Sequence, residues 1–253
     1  AASTFKHVTL ELGGKSPNIV FEDADIESAV MGAISGIFAA TGQTCIAGSR
    51  LLLQRSIHDQ FVERLIEVAK TAQIGDPMST DTHVGPVTTP PQYQKILDYI
   101  EIAKQDGAKC VLGGQAYTGP AAKGGQFVEP TIFTDVNNKM RIAQEEVFGP
   151  LLAVIPFDTE EDAISIGNDV DFGLAAGVWT QDIGRAVRMS EKLRVGTVWV
   201  NTYRAVSFTS PFGGYKRSGI GRESGLEAIK QYMQVKSVWI AQQTSPANPF
   251  IMR

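Results

Sequence analysis

The run LLAVIPF at residues 151–157 constrains the fold more than any other stretch. Seven successive residues without a polar side chain suit a strand covered on both faces, because a half-exposed strand would alternate apolar and polar positions. The flanking sequence supplies the covers. TEEDAISIGND (159–169), GLAAGVWT (173–180), DIGRAVRMSEKL (182–193) and GTVWVN (196–201) read as helix, strand, helix, strand. Upstream, RLLLQ (50–54) is a short apolar strand, followed by the amphipathic helix HDQFVERLIEVAKTAQ (58–73) with its stop at Gly75, Asp76 and Pro77. A polar loop from Met78 to Pro91 precedes a helix over PQYQKILDYIEIAKQDG (91–107), a strand in KCVLGG (109–114) and an extended segment in GGQFVEPTIFTDV (124–136). Strands separated by helices of this length require parallel crossovers. The expected fold is α/β: a largely parallel twisted sheet with helices on both faces.

At the start of the chain, VTLEL (8–12) and NIVFE (18–22) read as strand pieces around the turn GGKSP. A helix is predicted over DADIESAVMGAISGIFAA (23–40), with Asp23 or Asp25 as its N-cap, running toward Gly42. Near the other end, KSVWI (236–240) reads as a strand that needs an edge to pair with, and TSPANPFIMR (244–253) as a loosely held tail.

The 253 residues are 43% apolar and 20% charged, so a sizeable core and a soluble protein are expected. A net charge of -4, with scattered Lys and Arg, argues against a nucleic-acid surface. No apolar run is long enough for a membrane span, and AASTFKHVTLELGG lacks the core of a secretory signal, so a cytoplasmic location is expected. Cys45 and Cys110 make no disulfide framework, and His7, His58 and His83 have no metal-ligand spacing. The chain opens on Ala1 and enters a strand-like run almost at once, which reads as the middle of a longer protein.

Two residues stand out for chemistry. Cys45, in GQTCIAGSR (42–50), sits among small residues between a helix and a strand, where a substrate has room and its own N–H is available. It is either a nucleophile or a small buried structural residue. Glu11 interrupts VTLEL directly before Gly13 and Gly14. It is either a general base facing a cleft or a solvent-facing strand residue. Cys110 reads as a small apolar strand residue.

LELGGKSPNIV (10–20), GQTCIAGSR (42–50), EEVFGP (145–150) and NTYRAVSFTSPFGGYKRSGIGRESG (201–225), in that order, resemble the catalytic half of the NAD(P)-dependent aldehyde dehydrogenase superfamily. The thirty-four positions between Glu11 and Cys45 match the spacing of that family's base and nucleophile. The resemblance implies that Cys45 attacks the aldehyde carbonyl to form a thiohemiacetal, which becomes a thioester when hydride passes to the nicotinamide. It makes Glu11 the base that activates water to release the carboxylic acid. The Cys45 N–H would form half of the oxyanion site.

It also implies that Glu146 and Phe148 hold the nicotinamide ribose and ring, that Gln92 and Lys95 touch the cofactor less strongly, and that Leu12 and Gly13 line the approach to the thiol. Without the family, Glu146 would read as a loop acid and Phe148 as a core aromatic. Asn201, Val206, Phe208 and Phe212 are the implied substrate-tunnel residues. Arg204 either faces the tunnel mouth, where it would attract an acidic aldehyde, or is a solvated or interface residue. GIGRESG (219–225) lacks the dinucleotide-binding spacing and reads as a structural turn.

By the same resemblance, residues 1–13 are a strand of the N-terminal coenzyme-binding domain, 14–228 the catalytic domain, and 229–253 an oligomerisation strand and tail. The rest of the coenzyme domain lies outside this sequence, so NAD or NADP is expected to bind weakly. The implied partners are a small aldehyde and further copies of the chain; no metal is implied. Taken alone, the 253 residues would be inactive or a weak thiol esterase. The other reading is a non-catalytic self-associating module.

Overall fold

In the computed structural model, which describes residues 1–122, 124–242, 248 and 250, the predicted alternation forms one seven-stranded sheet. Its strands are β2 (Pro17–Val20), β3 (Arg50–Gln54), β4 (Lys109–Leu112), β5 (Thr131–Thr134), β6 (Leu151–Phe157), β8 (Ala175–Trp179) and β9 (Thr197–Val200), in the spatial order β4-β5-β6-β3-β2-β8-β9. Every pairing is parallel except β4 with β5 at one edge. Two small ribbons sit apart: β1 (Leu10–Glu11) pairs antiparallel with β11 (Gly219–Ile220), and β7 (Phe172–Gly173) with β10 (Tyr215–Lys216).

The described residues also form six α-helices, besides short 3-10 turns: α1 (Ile26–Ile37), α2 (His58–Ala69), α3 (Pro90–Gln105), α4 (Arg141–Gln144), α5 (Glu160–Asn168) and α6 (Ile183–Lys192). They divide between the sheet's faces, because successive strand residues point opposite ways. Leu51, Leu53, Leu152 and Val154 join Ala33 and Ile37 of α1 and Phe61 and Leu65 of α2 in one apolar cluster. Leu52, Ala153 and Ile155 join Ile96 and Ile100 of α3, Ile142 of α4, Ala163 of α5 and Met189 of α6 in the other. The near-continuous apolar character of LLAVIPF follows, since both sides of β6 are buried. Among the described residues no helix is long and apolar enough to cross a membrane.

One open alternative is decided and three sequence expectations are corrected. Asp25 is the cap of α1, its carboxylate accepting the Ser28 N–H at 2.8 Å, whereas Asp23 accepts hydrogen bonds from Thr180, Gln181, Asp182 and Arg185 and ties α6 to the sheet. The helix stops at Ile37 rather than running toward Gly42. Ala40, Thr41 and Gly42 take positive φ of 51°, 57° and 65°, which turns the chain out of the helix before Cys45. Gly42 is required there twice over, since a Cβ on it would stand 2.1 Å from the Gly149 carbonyl oxygen.

The strand expected over VTLEL shrinks to its two residues Leu10 and Glu11. KSVWI forms no strand: residues 233–241 carry neither helix nor strand, and Val238, Trp239 and Ile240 are exposed. A strand exists only where a neighbour completes its ladder, and among the described residues none pairs with this one. Most of TSPANPFIMR lies outside the described residues.

Candidate active site

The parallel crossover from β2 through α1 to β3 sets the site. It carries Glu11 toward β2 from one side and delivers Cys45 just before β3. Between them runs the LGG turn, and Gly14 is its pivot. A Cβ on Gly14 would lie 2.4 Å from the Cys45 carbonyl oxygen, so only glycine lets this backbone pass against the cysteine loop. The Gly14 N–H donates to Glu146 Oε1 at 2.9 Å. Three of the quoted motifs therefore meet at one residue.

Cys45 is half-buried with a free thiol. Burial pushes its pKa up, and the Glu11 carboxylate pushes the same way. The backbone N–H groups of Cys45 and Ile46 oppose this by favouring the thiolate, and Glu146 adds a smaller upward push. The Glu11 carboxyl is itself raised, first by partial desolvation and then by the Glu223 carboxylate, with Arg222 pulling back. Thiolate and Glu11 carboxylate thus disfavour one another, an arrangement in which one group holds a proton while the other is charged. Such a pair can deliver a nucleophile in one step and a base in the next.

On the other flank, Glu146 keeps Oε2 for a further donor, directly above Gly13, where a Cβ would come within 2.0 Å of it. Phe148, two residues on, holds φ of 61° and leaves 37% of its surface exposed. A carboxylate acceptor beside an exposed ring fits a sugar hydroxyl next to a flat heteroaromatic group. Gln92 and Lys95 do not present their side-chain ends to this face. Gln92 donates to the Val147 and Phe148 carbonyls at 2.7 and 2.9 Å, and Lys95 to the Glu146 carbonyl at 2.8 Å. Both clamp the Glu146–Phe148 turn onto α3. Leu12 is exposed beside Gly13, its N–H bonded to the Ser218 carbonyl.

Val206, Phe208 and Phe212 line one cavity of about 310 Å³ together with Pro211 and Glu223. Phe212 and Glu223 exchange both backbone hydrogen bonds at 2.7 Å. Glu223 connects this cavity to Glu11, whose pKa its charge raises. Asn201 is not among the lining residues. Its amide accepts the Thr180 N–H at 3.0 Å and donates to the Thr180 carbonyl at 2.9 Å, closing the end of β8. Arg204 donates to the Ser35 carbonyl at 3.1 Å, so its guanidinium ties the loop to α1.

Several residues around the site carry no signal in the sequence. Lys15, in the GGKSP turn, is 2% exposed; burial and the neighbouring Arg50 push its pKa down to about 7, against the pull of Glu146. Arg50 is fully buried and donates to the Lys15, Ile166 and Gly167 carbonyls and to Asn138. Behind the cysteine loop, Thr41 donates to the Gly85 carbonyl, and the Gln43 side-chain oxygen accepts both donors of Thr88. Arg50 and Lys15 could be suspected only from their place inside the motifs LELGGKSPNIV and GQTCIAGSR.

Comparison with known proteins agrees with this geometry. The Aldehyde dehydrogenase family matches residues 1–238. A betaine aldehyde dehydrogenase of Mesorhizobium japonicum is 50% identical over 240 residues, covering 95% of this chain and 49% of that protein. An aldehyde dehydrogenase of Aspergillus niger is 50% identical over 238 residues, covering 94% of this chain and 47% of its own length. Among solved structures, a point mutant of Staphylococcus aureus betaine aldehyde dehydrogenase in complex with NAD+ superposes with a TM-score of 0.96 at 43% identity, over 100% of this chain and 51% of that one. The NAD+ complex of a Bacillus cereus aldehyde dehydrogenase gives 0.92 at 46% identity, over 96% and 48%. The chain spans about half the length of the relatives it matches. With a family match across nearly its whole length and the family's motifs gathered around Gly14, this chain belongs to the aldehyde dehydrogenase family.

Proposed function

We propose that this chain supplies the catalytic half of an NAD(P)-dependent aldehyde dehydrogenase. The observation that carries the reading is the convergence at Gly14, which sets its backbone against the Cys45 carbonyl and its N–H on Glu146. Cys45 acts as nucleophile: its sulfur bonds to the aldehyde carbon, the thiol proton leaves to solvent or Glu11, and a thiohemiacetal forms. The Cys45 N–H steadies the oxygen as it gains charge. When bound, an oxidised nicotinamide cofactor supplies the acceptor for the hydride that this adduct gives up in becoming a thioester. Glu11 then takes a proton from water, the resulting hydroxide adds to the thioester carbon, and the carbon–sulfur bond breaks to release carboxylic acid and thiolate. Its raised pKa suits a base of this kind, and protonating it as pH falls should stop the second step first.

Glu146 and Phe148 would hold the ribose and ring, over Leu12 and Gly13. Gln92 and Lys95 would act through the turn they clamp. Val206, Phe208 and Phe212 would form the wall of the aldehyde's cavity, with Asn201 holding their loop in place. We read residues 14–228 as the catalytic unit, 1–13 as a strand shared with the coenzyme-binding half, and 229–253 as the oligomerising segment. The exposed Val238, Trp239 and Ile240 support pairing with another copy of the chain. A cytoplasmic location would keep the free thiols Cys45 and Cys110 reduced.

The test separates the two chemical steps. NADH formation with a panel of small aldehydes, and hydrolysis of an activated ester, are measured for the chain, Cys45→Ala and Glu11→Gln. Ester hydrolysis lost in Cys45→Ala and slowed in Glu11→Gln after a burst of acylation is the expected result. Unchanged hydrolysis in Cys45→Ala would overturn the reading and favour a self-associating module.

A further inference from the structure

Tyr203 is a buried polar group against the cysteine loop that the chemistry above does not use. It is 8% exposed, and its hydroxyl donates to the Ile46 carbonyl at 3.0 Å. Its ring occupies a slot cut by three glycines from three parts of the chain. A Cβ on Gly36 of α1 would lie 3.2 Å from Cδ1, one on Gly48 of the cysteine loop 2.9 Å from the hydroxyl oxygen, and one on Gly177 of β8 2.6 Å from Cδ2. Trp199 packs on the ring at 4.8 Å between centroids and is itself fixed by donating to the Ala205 carbonyl at 2.7 Å. The hydroxyl therefore has one place to be.

That place bears on Cys45 through two consecutive peptides. The Cys45 carbonyl lies hard against Gly14, and the next carbonyl, that of Ile46, is held by Tyr203. The Ile46 N–H shares one planar peptide with the Cys45 carbonyl, and anchoring the following carbonyl limits how far that peptide can turn; the N–H groups of Cys45 and Ile46 are the ones that favour negative charge on the sulfur. We propose that Tyr203 is a positioning residue which, through the Ile46 carbonyl, holds the cysteine loop against Gly14 and so sets the orientation of the Cys45 side chain in the site. Burial raises the phenol's own pKa, so it remains a neutral donor throughout the range in which the thiol ionises. The charged groups that act on Cys45 from outside the loop are Glu11 and Glu146, and the substitution below touches neither.

The inference rests on Cys45 as the nucleophile, and the experiment keeps the two apart by reading thiol reactivity rather than turnover. Alkylation by iodoacetamide is followed across pH, with mass spectrometry separating Cys45 from Cys110, in the chain, in Tyr203→Phe and in Trp199→Phe. Tyr203→Phe keeps the ring in its slot and removes one oxygen. Its Cys45 profile should shift to higher pH by about half a unit or more, with a several-fold slower rate near neutrality. Trp199→Phe thins the packing on the ring but leaves the Tyr203 hydroxyl able to reach the Ile46 carbonyl, and should shift the profile less than Tyr203→Phe does. A Tyr203→Phe profile that overlays the unsubstituted one, or an equal shift in Trp199→Phe, would overturn the proposal while leaving the nucleophile intact. Equal reactivity of Cys45 and Cys110 in the unsubstituted chain would remove both.

Discussion

LLAVIPF and KSVWI are made of similar residues and end in opposite states. The first is β6, flanked by β3 and β5 and buried on both faces. The second carries no ladder, and Trp239 stands 94% exposed. Apolar and β-branched composition makes a segment fit for a sheet, but a partner in reach makes it a strand. The difference separates strands that find their partners within the sheet from a segment that stays exposed and unpaired.

Substitutions can break or sharpen that contrast. Leu152→Ala, in the middle of β6, should cost about 2–5 kcal/mol in a denaturant titration; a cost below 1 would mean that β6 is less firmly held than its burial implies. The closed interior is tested next by Lys15. Its folded pKa of about 7 lies below its unfolded value, so the unfolded chain binds more protons between the two, and stability from this group rises with pH from about 7 toward 10.5. Lys15→Met should abolish that rise, on the order of a few kcal/mol, in denaturation midpoints measured across pH. An unchanged slope would show the ammonium finding water. Asp25→Ala removes the α1 cap and should cost about 1 kcal/mol in the same titration. Trp239→Ala should alter folding stability by less than about 0.5 kcal/mol, yet lower the apparent mass in sedimentation if the segment pairs with another copy. A large loss of stability in the dilute monomer would show that the segment already has a partner within the chain.

The same contrast explains what the sequence made legible. Periodicity identified RLLLQ, LLAVIPF and the helices between them because burial and local pattern agree there. It overran α1, since the left-handed turn at Ala40 and Thr41 is set by the approach of Gly42 to Gly149, more than a hundred residues away. Lys15 lies in the GGKSP turn, and only the tertiary structure puts it beside Arg50 and near Glu146. Gln92 and Lys95 lie on a predicted helix, but that their ends grip the backbone of 146–148 depends on how α3 docks. The motifs named the residues around Gly14, while Tyr203, although inside the 201–225 motif, showed no role until its hydroxyl was placed on the Ile46 carbonyl.

The strand order also sets a timetable. β2 pairs with β8, a union sealed by the Trp179 indole donating to Asn18 across 161 residues, and Gly14 reaches Glu146 across 132. On the ribosome, Glu11 and Cys45 emerge long before the segments that enclose them, and the centre of the sheet must wait with one edge open. Parallel pairings of such separation form slowly, because loop closure precedes any reward from contact. Until β8 arrives, β2 presents bare N–H and C=O groups flanked by apolar side chains, which makes the nascent chain a natural client for chaperones.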